Sequence, residues 1–280
     1  MELLYGNYVK EIKILYNFYA MRKLLKCALD IEQIKYKNSL DFIDGYELHL
    51  YGDERDDFSL LSQMTKPVYS IHYPLERCDI IEIAQEFETE YAQKVFALCK
   101  RLNVGLVLHA ESKYYEVMAN KDVDKFCDFI KENNITVYIE NCYRNIGAIE
   151  AIQIRRYIRA RIGLEKVFSL LDTCHLMMSE MSFKYDELSF AEAIEKYKSQ
   201  NFIIHLNDCI GSGEKETGGI HGTNFHNNLY LLNNILWKLY NLERDGYYAK
   251  LVLECDESDY VKCENAVELA HNIDKFWKTY

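Results

Sequence analysis

Only two prolines, Pro67 and Pro74, occur in 280 residues, so no proline-rich linker divides the chain. Glycine is also sparse, at 12 residues, which excludes collagen-like and Gly/Ser-linker architectures. No run of 18 apolar residues occurs, and Met1 to Lys10 carry charged and polar groups where a signal peptide needs an apolar stretch. Neither export nor membrane insertion is therefore expected. The nine cysteines form an odd number without a CxxC pair, which argues against a disulfide framework or a zinc ribbon and for a reducing cytosol. Basic residues are outnumbered 33 to 44, and the net charge of −11 disfavours a surface built to lie along a phosphate backbone. A small, locally positive or metal-rich site stays compatible with it.

What is present suits a globular chain, with 49% apolar and 28% charged side chains. After residue 40, short β-branched and aromatic runs alternate with longer amphipathic segments, the pattern of repeated βα units. Strands are expected at Glu2 to Tyr5, Tyr46 to Leu50, Val68 to His72, Gly105 to His109, Thr136 to Glu140, Val167 to Asp172, Phe202 to His205 and Lys250 to Glu254. Helical spacing appears between them, as in Phe87, Tyr91, Val95, Leu98 and Leu102, or Val261, Ala266, Leu269, Ile273 and Phe276. The segment Val9 to Lys37 reads as one long surface helix. Eight units in 280 residues leave about 35 for each, enough for a strand, a helix and two loops. The expected architecture is a single-domain (β/α)8 barrel over residues 1–280.

The chemistry concentrates at strand ends. Ile71-His72, Leu108-His109, Ile139-Glu140, Leu171-Asp172, Ile204-His205 and Leu253-Glu254 each close a run that should be buried in a parallel sheet. An unpaired His, Asp or Glu there would cost several kcal/mol. A closed barrel brings all its strand ends to one mouth, where a shared metal satisfies them together. Carboxylates mixed with imidazoles suit Zn, Mn, Co or Fe better than Ca, with Mg less favoured by the histidines. Glu140, Asp172, His205 and Glu254 form the principal candidate set, and His72 and His109 a further pair.

Two more histidines follow strand ends. His175 stands three residues after Asp172, and His221 closes the Gly-rich segment Gly211 to Gly222, which reads as an active-site cover or a solvated loop. Each can orient a substrate oxygen or bind another metal. His49, His226 and His271 lack such placement and are read as structural. Cys142, Cys174, Cys209 and Cys255 lie close to the candidate ligands, but free cysteines at packed strand ends behave as small buried hydrophobes, so none is expected to be catalytic.

YSIHYP (69–74), VLHA (107–110), YIENC (138–142), LLDTCH (170–175), IHLNDC (204–209), HGTNF (221–225) and LVLEC (251–255) together resemble the xylose isomerase-like barrel superfamily. That superfamily joins sugar isomerases and epimerases with endonuclease IV-type AP endonucleases. Likeness to the tagatose epimerase-like members implies one divalent metal on Glu140, Asp172, His205 and Glu254. It further implies substrate binding by His175, and Glu140 and Glu254 as the base and acid that move a proton next to a carbonyl. Likeness to the endonucleases implies His72, His109 and Glu140 on one zinc, with Glu140 bridging to a second. A third zinc would need His175, His221 and an aspartate where this chain has Gly219, and MELLYGNYVK does not match their opening strand. Tyr73-Pro74-Leu75 could wedge a duplex or line a sugar pocket.

The sequence therefore points first to a cytosolic, metal-dependent isomerase or epimerase of a small sugar or sugar phosphate. The expected cofactor is one divalent ion (Mn, Zn, Co or Mg), and a homodimer through the outer helices is a further expectation. The alternatives are a zinc-dependent AP endonuclease, in which nucleic acid becomes the partner, and a barrel that binds a metal and a ligand without catalysis.

Overall fold

Eight strands run side by side in parallel until the last pairs with the first, in the computed structural model that describes residues 21–142, 147–183, 189–210, 220–226 and 228–279. They are β1 (Arg22–Cys27), β2 (Gly45–His49), β3 (Val68–His72), β4 (Gly105–Ala110), β5 (Val137–Asn141), β6 (Val167–Asp172) and β7 (Ile203–Leu206), closed by β10 (Lys250–Leu253). Between the last two, β8 (Asp208–Ile210) and β9 (Ile220–Thr223) form a separate antiparallel hairpin. The barrel order β1-β10-β7-β6-β5-β4-β3-β2 is that of a (β/α)8 fold, as expected.

The first strand is where the structure corrects the sequence reading. Glu2 to Tyr5 lie outside the described residues, and the barrel takes Arg22–Cys27 as β1 instead. The proposed long helix from Val9 to Lys37 therefore contains a strand, followed by a two-turn helix at Ile31–Asn38 that Asp30 caps. RKLLKC reads as helix because Lys and Leu are good helix formers, but pairing with β2 and β10 on either side overrides that propensity.

Alternation by two builds the interior. Leu24, Val107, Tyr138, Leu170, Ile203 and Val252 are buried together as an apolar floor inside the barrel. Two residues further along each of these strands stand Lys26, His109, Glu140, Asp172, His205 and Glu254, so the next inward layer is ionisable. The intervening Leu25, Leu108, Ile139, Leu171, Ile204 and Leu253 face outward into two larger apolar clusters beneath the helices.

The covering helices follow the expected spacing. Glu90–Leu102 buries Val95 and Leu98, starts at Thr89, whose hydroxyl accepts from the Ala92 amide at 3.3 Å, and ends at a left-handed Asn103. Glu264–Thr279 buries Ala266, Leu269, Ile273 and Phe276. Among the described residues no helix is long and apolar enough to cross a membrane.

Candidate metal centre

All six strand-end residues reach the same mouth, and they divide into two groups that share one member. Glu140, Asp172, His205 and Glu254 form one group, with a ligand atom from each within 4.8 Å of the others; His72, His109 and Glu140 form the second. In the first group, His205 Nδ1 lies 3.1 Å from Glu140 Oε1, 2.5 Å from Glu254 Oε2 and 3.9 Å from Asp172 Oδ2. In the second, the Nε2 atoms of His72 and His109 are 3.1 Å apart and each is 3.5 Å from Glu140 Oε2. Glu140 thus turns one oxygen to each group.

The surroundings fix these side chains. His72 Nδ1 donates to the Tyr73 carbonyl at 2.7 Å, and His109 Nδ1 is 2.9 Å from Glu111 Oε1, which leaves the two Nε2 atoms facing each other. Asp172 is clamped by Asn141 on its backbone and by Asn207 Nδ2 at 3.1 Å on Oδ2. His175 donates its amide to Asp172 Oδ1 at 2.5 Å and holds Nδ1 2.8 Å from the Asn141 carbonyl, with its ring 5.8 Å from His109. The expected substrate histidine is therefore inside the mouth. His221 lies on β9 opposite Cys209, with its side chain outside the described residues, as is Gly211 to Gly219 of the Gly-rich segment.

Charge is concentrated here. Burial alone would raise the Glu140 and Glu254 carboxyls, yet neighbouring His205, with His109 beside the first and Lys26 beside the second, holds both well below the usual range. Burial opposes charge on His205 too, but Glu140, Glu254 and Glu47 hold its pKa well above that of an ordinary imidazole. His109 is raised in the same way against its burial, by Cys78 and Glu140, whereas burial and Lys26 lower His72. The two facing rings are thus pushed in opposite directions by their surroundings.

The donor set fits a divalent ion. Glu140 Oε2 faces the Nε2 atoms of His72 and His109 at 3.5 Å, and Glu254 Oε2 faces His205 Nδ1 at 2.5 Å; three carboxylates gathered on these imidazoles are costly to bury unless a cation joins them. Imidazole nitrogen mixed with carboxylate oxygen is a zinc, manganese or cobalt shell.

The same mouth holds groups that sequence reasoning passed over. Lys26 pairs with Glu254. Its place could have been found two residues beyond inward-facing Leu24, had β1 been located. Glu47 is fully buried, accepts from Ser70 Oγ at 2.7 Å and lies 3.0 Å from His205 Nε2. A charged residue inside GYELHL, a run otherwise suited to burial, was the available signal. His49, read as structural, stands beside the site with its ring 5.7 Å from His72, and burial pushes its pKa down to about 2. His226 and His271 are remote, the first 3.2 Å from Glu268 and the second with its ring tilted against Phe42 at 5.0 Å between centroids. Cys142, Cys174 and Cys255 are buried and Cys209 is half-buried, all four outside any disulfide.

A family model, that of the xylose isomerase-like TIM barrel, matches residues 37–235. The chain belongs to this family. Among solved structures, it is similar to the IOLI protein with a bound zinc atom, with 14% identity, a TM-score of 0.58, and coverage of 92% of this chain and 97% of that one. An AP endonuclease, family 2, from Brucella melitensis gives 16% identity and a TM-score of 0.54 over 90% of this chain and 99% of that one. A xylose isomerase domain containing protein from Salmonella typhimurium gives 11% and 0.53 over 92% and 97%. At such identities the likeness is one of fold. No curated protein matches the sequence.

Proposed function

We propose that this barrel is a metal-dependent isomerase or epimerase of a small sugar or sugar phosphate, acting in the cytosol as one domain over residues 1–280. The observation that carries the reading is the convergence of Glu140 and Glu254 on His205 Nδ1, which puts two carboxylates on one ligand set with Asp172 completing it. A divalent ion held there would polarise a carbonyl and its neighbouring hydroxyl, making the hydrogen between them acidic. Glu140, kept ionised by the cationic groups around it, would take that proton, and Glu254, also ionised at rest, would first collect a proton from the substrate hydroxyl or solvent and then return it to the carbon skeleton. His175, buried beside Glu140, orients a substrate oxygen. The net charge of −11 also favours a small substrate over a nucleic acid.

A second reading, hydrolysis of a phosphodiester such as that at an abasic site in DNA, is favoured by the sharing of Glu140 with His72 and His109. Two adjacent ions suit in-line displacement at phosphorus. One experiment separates the two. Protein purified without chelators is assayed for metal per chain, for deuterium uptake from D2O into keto-sugars, and for cleavage of an abasic duplex with and without EDTA. One ion and a labelled sugar support the first reading. Two or three zinc ions and EDTA-sensitive cleavage would replace it with the second, and a metal with neither activity would leave a binding protein.

A further inference from the structure

Glu47 is one carboxylate more than either ligand group uses. It is fully buried on β2, and a buried carboxylate destabilises a fold unless something near it needs the charge. Ser70 on the neighbouring strand donates to Oε2 at 2.7 Å, which leaves Oε1. That oxygen lies 3.0 Å from His205 Nε2, an ion pair not aligned as a hydrogen bond, and neither atom has a hydrogen-bond partner elsewhere. Glu140, Asp172 and Glu254 all gather at Nδ1, the other nitrogen of the same ring. A neutral imidazole carries one proton and one lone pair, so the group behind Nε2 decides which nitrogen is left to bind.

We infer that Glu47 is a positioning residue that holds the proton of His205 on Nε2 and so presents Nδ1, as a lone pair, to the metal set of Glu140, Asp172 and Glu254. The role rests on the metal site proposed above. It also accounts for Lys26, the register partner of Glu47, which supplies a positive charge to a layer otherwise crowded with carboxylates. Glu47 itself stays on the far side of the ring from the other carboxylates and is not a ligand.

The test uses zinc alone as the probe. Affinity is measured on the full chain by competition with a chromogenic chelator. Glu47→Gln, which keeps the shape and removes the charge, is expected to weaken zinc binding by about 10- to 100-fold. Glu243→Gln, which neutralises a buried carboxylate on an outer helix away from the mouth, is expected to stay within about threefold of wild type, well short of that loss. Nitrogen-15 spectra of the zinc-loaded wild type give a reading that needs no variant: His205 should carry its proton on Nε2, an outcome that general loosening of the fold would not produce. Wild-type zinc affinity in Glu47→Gln, or a His205 proton on Nδ1, would overturn the role. A wild-type chain that takes up no zinc would instead overturn the metal reading, and this role with it.

Discussion

His72 and His109 meet nitrogen to nitrogen, Nε2 to Nε2, at 3.1 Å, because each has already committed Nδ1 to an oxygen behind it. Two imidazoles in that attitude need a cation or a shared proton between them. We therefore expect the occupancy of this pair to be separable from that of the four-residue set.

His205→Ala should remove the ion held by Glu140, Asp172 and Glu254, while His72→Ala should leave it in place. Metal content per folded chain, read by plasma mass spectrometry, checks this. Equal loss in both variants would mean that the two groups are one site.

Glu140→Gln and Glu254→Gln should each lower turnover by about 10²- to 10⁴-fold, the usual contribution of a positioned acid or base. The readout is deuterium incorporation into whichever sugar the wild type labels. Undiminished exchange in both variants would remove the acid-base assignment.

Glu243, half-buried on the helix Leu229–Arg244 and lacking a hydrogen-bond partner for Oε1, has its carboxyl pushed by burial up to about 8. The folded chain therefore holds a proton that the unfolded chain releases near pH 4.5, and stability falls as pH rises from there to about 8. Glu243→Gln should abolish that part of the slope and stabilise the protein above pH 8 by about 1 to 2 kcal/mol after allowance for solvent screening. Urea unfolding at pH 5, 7 and 9 tests it, and parallel curves for the two proteins would refute it.

Gly222, at φ +82°, accepts a 2.6 Å hydrogen bond from the Asp256 amide, two residues beyond Glu254. An added Cβ would sit 2.9 Å from that same nitrogen. Gly222→Ala should cost about 1 to 3 kcal/mol and loosen the hairpin against the Glu254 loop. Faster amide exchange at Asp256 would be its signature, and unchanged exchange would count against the contact.

Much of this could be read before any coordinates, for a simple reason. Strands β3 to β7 are short apolar runs with His, Glu or Asp at the last position or the one before it, and a parallel sheet leaves no cheap place for such residues except the mouth. The first strand hid because Lys23 and Lys26 break its apolar run; their charges are met by residues distant in sequence, Asp274 on the last helix and Glu254 just past the neighbouring strand β10. Glu47 hid for the opposite reason, since it stands within its strand and not at its end. Its partners Ser70 and His205 come from two other strands, and sequence spacing carries no trace of the pairing.

The pairing of β1 with β10 has a consequence in time. Lys26 and Glu254 face each other across the seam where the barrel closes, and Glu254 completes the four-residue set. A growing chain can pair β1 with β2 early, but the mouth has no closed wall until β10 has left the ribosome and slotted between β7 and β1. The four-residue set is therefore assembled only once β10 is in place, and a chain stalled short of that strand would leave Glu140, Asp172 and His205 without Glu254, the residue that completes it.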